Sequence, residues 1–423
     1  MLTAGREHIG RLAFERRWSS YRSHEALGSP AGRRFALCVK DPAELVAIVM
    51  YLRETDGSAL LLHGGMPLET ALSHARRAGC CGLVYEEAET YLSVEGIMGY
   101  AESNHGGCGG KPSLFQYSSG TTGEPKLIGR SWEEISAELA AYNEALQADP
   151  SWKPVVLASV SHSYGLLCGV LASLARGSEP TVVPNTNPKL ALGIIRDTPA
   201  HLVYAVPLQL HLLASLAAGG QRFHRLMTSG APLPAPLWEQ LVQRSDAVLQ
   251  QYGCSEAGCL TISRGMLAPG DIGQPLPHVQ LTAGPQSDSP GELIADIGSR
   301  IIRTGDVGYR NEQGHIMLMG RADDVINIGG LMVYPTEVED TLLRMKGVRE
   351  AVVYRGRHPV MGEMVKAQVA ADPGVTPEMI RAWCLQQLAP YQVPGAVACV
   401  SSIEKNGNGK VSRKLLEAKE AAL

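Results

Sequence analysis

The sequence predicts a two-domain α/β protein, with a large amino-terminal domain of parallel and mixed sheets flanked by helices and then a small α+β domain. Three observations predict this fold class. The chain has 423 residues, enough for two or three domains. Short runs rich in Val, Leu and Ala alternate with helical stretches, which is typical of parallel α/β sheets. Beyond Pro335 the pattern gives helices and strands sufficient for a separate small domain.

The individual elements follow from these runs in chain order. The first 33 residues, rich in Arg, Ser and Glu, predict a short helical segment. Next come predicted strands over 34–39, 58–63 and 82–85, helices over 43–52 and 67–78, and a glycine-rich linker at 106–110. The alternation returns with strands over 155–160, 181–184, 201–206 and 247–252, and turns prevail from 314 to 328. The small domain has predicted helices over 336–345 and 377–388 and strands over 351–354, over 365–370 and near Val397.

Composition excludes several classes of protein. The 38 basic and 42 acidic residues give a net charge of −4, so broad binding to nucleic acid is not expected. No apolar run approaches the ~20 residues of a membrane span, and the first residues carry charges where a signal peptide is apolar. The 9 cysteines are scattered in apolar runs without zinc-ligand spacing. They indicate reduced thiols and a cytoplasmic protein.

One segment predicts a phosphate-binding loop. Residues 117–126 read Tyr-Ser-Ser-Gly-Thr-Thr-Gly-Glu-Pro-Lys. Glycines let backbone N–H groups approach phosphate oxygens, hydroxyls donate further hydrogen bonds, and lysine adds positive charge. The spacing is not that of a Walker A loop, and a polar surface turn is the alternative interpretation. The candidate phosphate contacts are Ser118, Ser119, Gly120, Thr121, Thr122, Gly123 and Lys126.

Six motifs, in order, resemble those of the adenylate-forming superfamily: acyl- and aryl-CoA synthetases, luciferases and the adenylation domains of peptide synthetases. Besides the phosphate loop, the resemblance rests on segments 228–234, 251–256, 303–306, 320–330 and 406–413. The chain departs from the family pattern at Ser255, where threonine is usual, and at the inserted pair Gly407-Asn408. It is also short before Tyr117 and has few residues between Asp296 and Arg303.

The resemblance implies that a carboxylate attacks the α-phosphate of ATP, which gives an acyl-AMP and pyrophosphate. Catalytic roles then fall to Lys410, a mobile cation between the two anions, and to Glu256, a ligand of Mg²⁺. Ordinary alternatives are a solvated lysine, a solvated loop carboxylate, a core tyrosine at 252 and a surface ion pair between Asp306 and Arg321. The implied nucleotide contacts are Gly230, Ala231, Pro232, Tyr252, Gly253, Ser255, Asp306 and Arg321.

The resemblance also implies a mobile carboxyl-terminal domain. Asp323 matches the hinge, which divides the chain into residues 1–322 and 323–423. After the domain swings, Gly329 and Gly330 would line a tunnel for the thiol of CoA or of a carrier protein's phosphopantetheine. An ordinary β-turn is the alternative for this glycine pair.

The acid substrate is predicted from the segment that resembles the family's acyl pocket. Its candidate contacts are Ser229, His162, Ser163 and Tyr164. Ser163 stands where amino-acid-activating relatives carry Asp, which disfavours a substrate ammonium. His162 and Tyr164 resemble the His-x-Tyr of hydroxycinnamate ligases, so we expect an aromatic acid and a hydrogen bond from Tyr164 to a ring hydroxyl. The alternatives are an aliphatic acid, a reaction that stops at the acyl-AMP or passes it to an amine, and a non-catalytic nucleotide-binding scaffold.

Overall fold

The computed structural model describes residues 2–87, 90–94, 110–117, 126–184, 187–217, 220–358, 362–405 and 411–421. The chain divides into two compact units. Unit 1 comprises Met1–Ala231, Arg244–Gly265 and Pro275–Val279, and unit 2 comprises Pro232–Gln243, Met266–Gln274 and Gln280–Leu423. The predicted domain boundary after residue 322 stays a prediction.

Strands and short helices alternate through most of the chain. Up to residue 146 the elements are β1 (Leu2–Ala4), β2 (Glu7–Ile9), α1 (Arg11–Ser23), β3 (Arg34–Val39), α2 (Pro42–Glu54), β4 (Ser58–Leu61), α3 (Leu68–Arg77), β5 (Gly82–Glu86), β6 (Tyr91–Ser93), β7 (Ser113–Tyr117), β8 (Leu127–Ser131) and α4 (Trp132–Leu146). Up to residue 263 they are β9 (Lys153–Val156), a π-helix (Tyr164–Leu171), α5 (Ala172–Ala175), β10 (Thr181–Val182), α6 (Pro188–Arg196), β11 (His201–Ala205), α7 (Pro207–Leu216), β12 (Phe223–Thr228), α8 (Ala235–Arg244), β13 (Ser245–Cys254) and β14 (Gly258–Ser263).

The remaining elements belong to unit 2, apart from Pro275 at the end of β15, and unit 2 also contains most of α8. They are β15 (Asp271–Pro275), β16 (Gln280–Thr282), β17 (Gly291–Asp296), β18 (Ile301–Arg310), β19 (Ile316–Arg321), a 3₁₀ turn (Ala322–Asp324), β20 (Ile326–Ile328), β21 (Leu331–Val333), α9 (Pro335–Leu343), β22 (Val348–His358), β23 (Gly362–Ala371), α10 (Pro377–Gln387), a 3₁₀ turn (Pro390–Gln392), β24 (Ala396–Val400) and α11 (Arg413–Ala421). Within the described residues, no helix is both long and apolar enough to cross a bilayer.

Unit 1 contains two sheets with parallel cores. In the first, the order β6-β5-β3-β4-β7-β8 places the parallel strands β5, β3, β4 and β7 in the middle. In the second, the order β14-β13-β12-β11-β9-β10-β1-β2 is parallel from β13 to β1. The side chains of β3, β4 and β11 are almost wholly buried, as expected for parallel strands covered on both faces.

The amino-terminal segment and the strand at 155–160 differ from prediction. Leu2–Ala4 and Glu7–Ile9 are strands that pair with each other, and β1 also pairs with β10, so the segment before residue 33 is not only helical. β9 starts at Lys153 and ends at Val156, and residues 159–162 turn instead of extending. Three-residue strands are too short for a periodic signal, whereas Val155 to Val160 is apolar without being extended throughout.

Unit 2 contains an antiparallel sheet and a small α+β layer. The antiparallel strands are ordered β16-β17-β18-β19-β15. The small layer has the order β21-β20-β23-β22, with β24 parallel to β23, and α9 and α10 cover it. Its core is aliphatic and includes Val338, Val369 and Ile380. The predicted helices and strands of the small domain are therefore present.

Candidate active site

The carboxyl edge of the parallel sheet in unit 1 gathers several predicted site segments. β9, β11, β12 and β13 lie side by side and run in the same direction, so their carboxyl ends meet at one edge. Ser229 and Gly230 directly follow β12, and Tyr252 and Gly253 are among the last residues of β13. This edge is where open α/β sheets usually bind ligands.

The turn after β13 carries Ser255 and Glu256. β13 and β14 form an antiparallel hairpin in which Cys254 opposes Gly258, so the turn spans three residues. Both Ser255 and Glu256 are half-buried there, on a short connection with little freedom to move. The prediction that Glu256 lies in a loop at a strand end is confirmed. Its role toward Mg²⁺ stays a prediction.

Tyr252 is a buried side chain with 9% of its surface exposed. This burial fits the alternative of a packed tyrosine as well as that of a ring beneath adenine. The next residue, Gly253, has no room for a side chain because a Cβ there would overlap the carbonyl oxygen of Gly258. The hairpin itself thus requires glycine at position 253, whatever else this residue contacts.

β7 and β8 form the hairpin that flanks the predicted phosphate loop. Tyr117 opposes Leu127 in the antiparallel register, and Lys126 is exposed immediately before β8. The Tyr117 hydroxyl donates to the carbonyl oxygen of His74 at 3.0 Å, and burial raises the pKa of Tyr117 to about 12. The remaining candidate residues of this loop lie outside the described residues: Ser118, Ser119, Gly120, Thr121, Thr122 and Gly123.

Tyr164 begins the π-helix and points its hydroxyl into the protein. The hydroxyl donates to the carbonyl oxygen of Met227 at 2.6 Å, and burial raises the pKa of this phenol. A phenol has one proton to donate. Donation from Tyr164 to a substrate's ring hydroxyl, which stays a prediction, would require the hydrogen bond to Met227 to be given up.

Ser163 and Gln116 form a neutral pair beside the same edge. The Ser163 hydroxyl donates to Oε1 of Gln116, and Nε2 of Gln116 donates to the carbonyl oxygen of Ser161 at 3.4 Å. His162, the third residue of the predicted acyl segment, is exposed. Gln116 was missed by the sequence analysis because it lies in a strand before the phosphate loop and belongs to no motif.

Asp306 and Arg321 pair within unit 2. They oppose each other on β18 and β19, with Nη1 of Arg321 at 3.1 Å from Oδ1 of Asp306. The same nitrogen donates to the carbonyl oxygen of Thr304 at 3.3 Å. The side chain of Arg321 is 40% exposed and that of Asp306 16%, so the ion pair that was the alternative interpretation is present at a partly exposed site. Contact of these side chains with ribose stays a prediction.

Asp323 lies in a 3₁₀ turn near the start of α11. Its carboxylate is 3.5 Å from Nζ of Lys414, and its carbonyl oxygen accepts from Nη2 of Arg355 at 2.6 Å. The neighbouring Asp324 pairs at 3.0 Å with Arg413. The predicted hinge and the start of α11 are thus joined inside unit 2. Lys410 lies outside the described residues.

Gly329 and Gly330 form the two-residue turn between β20 and β21. Their φ angles are +60° and +98°, and Gly330 N donates to Oδ1 of Asn327 at 2.7 Å. Two-residue hairpin turns favour glycine because they need positive φ. The backbone alone therefore accounts for the glycine pair, and its place in a thiol tunnel stays a prediction.

A buried ion cluster beside Gly258 and Cys259, at the start of β14, was also missed. It consists of Arg130, Glu134 and Glu138, three charged residues spaced four apart at the end of β8 and along α4. Such spacing is common on exposed helix faces, so the sequence alone does not distinguish a buried cluster from a solvated one.

Comparison with known proteins assigns the chain to a family. The model for "AMP-binding enzyme" matches residues 48–291, more than half of the chain, and the model for "AMP-binding enzyme C-terminal domain" matches residues 337–410. The chain belongs to the AMP-binding enzyme family, whose members are AMP-forming ligases. The predicted superfamily, fold class and ligase chemistry are confirmed.

Three relatives illustrate the similarity. The 3,4-dihydroxybenzoate–[aryl-carrier protein] ligase of Bacillus anthracis is 48% identical over 99% of both chains. The 2-succinylbenzoate–CoA ligase of Bacillus velezensis is 26% identical over 86% of this chain and 78% of its own. The structure of the O-succinylbenzoate CoA synthetase MenE of Bacillus subtilis with ATP and a magnesium ion has a TM-score of 0.81, at 20% identity and with 98% and 96% of the two chains covered. This last likeness shows the fold.

Proposed function

We propose that this protein activates a hydroxylated benzoic acid with ATP and transfers it to the phosphopantetheine thiol of an aryl-carrier protein. The observation that carries the proposal is the 48% identity to the Bacillus anthracis ligase over 99% of both chains. That relative acts on 3,4-dihydroxybenzoate, which makes the same acid the first candidate here. A transfer to CoA is the second candidate, since a relative of lower identity is a CoA ligase.

The neutral side chains around Ser163 support an acid without an α-ammonium group. Ser163 and Gln116 satisfy each other and bring no negative charge. A buried ammonium without a counter-charge costs several kcal/mol, so an amino acid would bind poorly beside this pair. We infer that the exposed His162 and the hydroxyl of Tyr164, which donates to Met227, are both candidates to contact the ring hydroxyls.

The reaction has two steps. In the first, a carboxylate oxygen attacks the α-phosphorus of ATP and the bond to pyrophosphate breaks. In the second, the thiol sulfur attacks the acyl carbonyl, the thiol proton passes to solvent and AMP leaves. Both partners of the first step are anions, so its rate depends on positioning and on charge neutralisation. We assign that neutralisation to Lys410, with Ser255 holding the α-phosphate and Asp306 accepting from the ribose hydroxyls.

The residues present fit a magnesium ion that binds together with ATP. Mg²⁺ is commonly held by one or two carboxylates plus substrate phosphates, and Glu256 supplies a half-buried carboxylate at the carboxyl edge. Within the described residues, no cluster of three or more Asp, Glu, His or Cys side chains could hold a metal unaided. When bound, the ion would neutralise phosphate charge.

Pyrophosphate exchange across a panel of acids tests this function. The panel contains 3,4-dihydroxybenzoate, benzoate, an aliphatic acid and an amino acid, and we expect exchange to be fastest with 3,4-dihydroxybenzoate. Loss of aromatic preference would contradict the proposal. Thioester formation with a phosphopantetheinylated aryl-carrier protein and with CoA then separates the two acceptors.

Two variants test the assigned roles. Lys410→Ala should slow adenylation by roughly 10²–10³-fold, because one positioned charge is lost, while thioester formation from supplied acyl-AMP should be spared. Glu256→Gln should weaken the binding of Mg²⁺ and slow pyrophosphate exchange together. A Lys410→Ala enzyme that loses both half-reactions equally would count against the assignment.

We place the protein in the cytoplasm. Every cysteine that the structure describes is a free thiol, and most are buried, as suits a reducing compartment. Fractionation of cells that express the tagged chain tests this location.

A further inference from the structure

Arg130 and Glu138 form a buried ion pair in unit 1. Their side chains are 5% and 1% exposed, and Nη2 of Arg130 is 2.7 Å from Oε2 of Glu138. Nε of Arg130 also donates to Glu134 at 2.8 Å. Burial alone would lower the pKa of Arg130, but the two carboxylates outweigh it and raise that pKa. Arg130 is therefore charged at neutral pH.

The ion pair contacts the end of the Ser255–Glu256 turn. Oε1 of Glu138 accepts from the backbone N–H of Cys259 at 2.7 Å. The preceding Gly258 has φ +76°, and a Cβ at that position would overlap Nη1 of Arg130 and crowd the Glu138 carboxylate. The ion pair is thus packed directly against the backbone of the two residues that begin β14.

That contact restricts the turn at its carboxyl end. β13 ends at Cys254, and Glu138 accepts from Cys259 N, so only four residues separate the end of β13 from the backbone that Glu138 holds. The other end of the same cluster is Arg130 on β8, four residues after Lys126. A displacement of Glu138 would therefore move the backbone next to Glu256 rather than a remote part of the fold.

We propose that Arg130 and Glu138 are positioning residues that hold the Ser255–Glu256 turn in the geometry needed to bind magnesium and ATP. A buried ion pair is often no more stabilising than apolar residues of similar volume. Apolar residues, however, cannot accept the hydrogen bond from Cys259 N. The pair thus supplies a fixed position for the turn that packing alone does not provide. The inference rests on the proposed function, because it assumes that Glu256 and Ser255 contact magnesium and phosphate.

The double variant Arg130→Met/Glu138→Leu tests the inference, because it replaces both charged side chains with apolar ones and leaves no unpaired charge of this pair in the core. Binding of ATP with Mg²⁺ is measured by titration calorimetry, and adenylation by pyrophosphate exchange with 3,4-dihydroxybenzoate. We expect the dissociation constant for ATP with Mg²⁺ to rise about ten-fold and kcat to fall roughly 10–100-fold. The KM for the acid should change less than about two-fold, and Glu138→Gln, which keeps an acceptor for Cys259 N, should recover most of the loss.

Trp132→Phe is the matched control. Trp132 lies on the same helix, is buried and donates from Nε1 to the carbonyl oxygen of Gly57 at 2.9 Å, away from the turn. The Trp132→Phe variant should have a lower melting temperature than the wild type and the same dissociation constant for ATP. If the double variant binds ATP like the wild type, or is affected no more than Trp132→Phe, the positioning role is overturned.

The outcomes also separate this inference from the proposed function. A wild-type protein that binds ATP with Mg²⁺ but exchanges pyrophosphate with none of the acids refutes the proposed function, and the binding comparison still decides the positioning role. If the double variant fails to fold, the binding of ATP with Mg²⁺ and adenylation are compared between Glu138→Gln and Glu138→Leu instead. If Glu138→Gln keeps near-wild-type ATP binding and adenylation and Glu138→Leu does not, the positioning role is supported. An equal loss of both activities in the two variants refutes it.

Discussion

At the scale of single residues, two hydroxyls near the acyl segment already have partners inside the protein. Tyr164 donates to a backbone carbonyl on the neighbouring strand, and Ser163 donates to a glutamine on another sheet. Each hydroxyl has a single proton, so neither is available as a donor unless its partner is given up. Recognition of a hydroxylated ring is therefore expected to use other groups.

Tyr164→Phe should affect stability more than substrate recognition. The variant loses the hydrogen bond to Met227 and should lower the free energy of unfolding by about 1 kcal/mol. The KM values for 3,4-dihydroxybenzoate and for benzoate should stay within about two-fold of wild type. Denaturant unfolding and exchange kinetics measure both effects. A ten-fold rise in KM for the hydroxylated acid alone would show that the phenol contacts the ring after all.

His201 should make the protein less stable in mild acid. The ring is 4% exposed, with Nδ1 at 2.7 Å from the carbonyl oxygen of Thr198 and Nε2 accepting from the N–H of His224 at 2.8 Å. Burial lowers the pKa of His201 from its ordinary 6.5, so between the folded pKa and 6.5 the unfolded chain binds more protons. Stability is therefore complete above pH 6.5 and declines as the pH falls through the folded pKa.

The measurement is a series of thermal melts from pH 7.5 down to about pH 5. We expect the melting temperature to fall more steeply for the wild type than for His201→Gln, which has no proton to gain at this position. Parallel curves for the two proteins would assign the acid sensitivity to other groups, such as His74 and His278, whose pKa values burial also lowers.

At the scale of elements, the sequence was sufficient to predict a strand that is buried on both faces or a helix that has one apolar side. The predicted strands at 34–39 and 201–206 have counterparts within a residue of their predicted ends because all their side chains except Arg34 are buried in a core. β1, β2 and the π-helix depend on tertiary contacts that no local pattern encodes. The cluster of Arg130 and Glu138 escaped prediction for the same reason, since its burial comes from β14, over a hundred residues away.

The π-helix depends on Gly165. A Cβ at this position would overlap the carbonyl oxygens of Ala158 and Ser159, so the helix could not approach the turn that precedes it. Gly165→Ala should cost roughly 1–3 kcal/mol of unfolding free energy and raise the KM for the acid, since His162 lies in that turn and Ser163 follows it directly. Gly193→Ala is the control, because its Cβ meets only Nη2 of Arg6 at 3.6 Å and α6 should gain stability. A tolerated Gly165→Ala would contradict the close approach.

At the scale of the whole molecule, each compact unit contains some of the residues that are predicted to contact the nucleotide. Tyr252 and Ser255 belong to unit 1, whereas Asp306 and Arg321 belong to unit 2. The family motifs predicted which residues contact the nucleotide, but they did not predict where these side chains lie or what they contact in the protein. Side-chain partners such as Gln116 and Met227 could not be obtained that way, because they lie in strands whose sequence has no special feature.

Asp323→Pro should separate the two half-reactions. Proline fixes φ near −65°, so a residue that must change its backbone angles during a domain movement is locked. Adenylation should persist, whereas thioester formation should fall at least ten-fold. Asp323→Ala is the control, since it removes only the exposed contact with Lys414 and should leave both steps unchanged. Equal loss of both steps in a folded proline variant would place the hinge elsewhere.

The difference in exposure among the thiols allows one of them to be labelled so that the predicted domain movement can be measured by fluorescence. Cys399 on β24 is exposed, whereas burial raises the pKa of Cys254 to about 12 and that of Cys384 to about 11. A maleimide dye reacts with accessible thiolate and should therefore label Cys399 first. With Cys108, which lies outside the described residues, replaced by serine, a fluorophore at Cys399 and an acceptor placed in unit 1 would follow the catalytic cycle by resonance energy transfer.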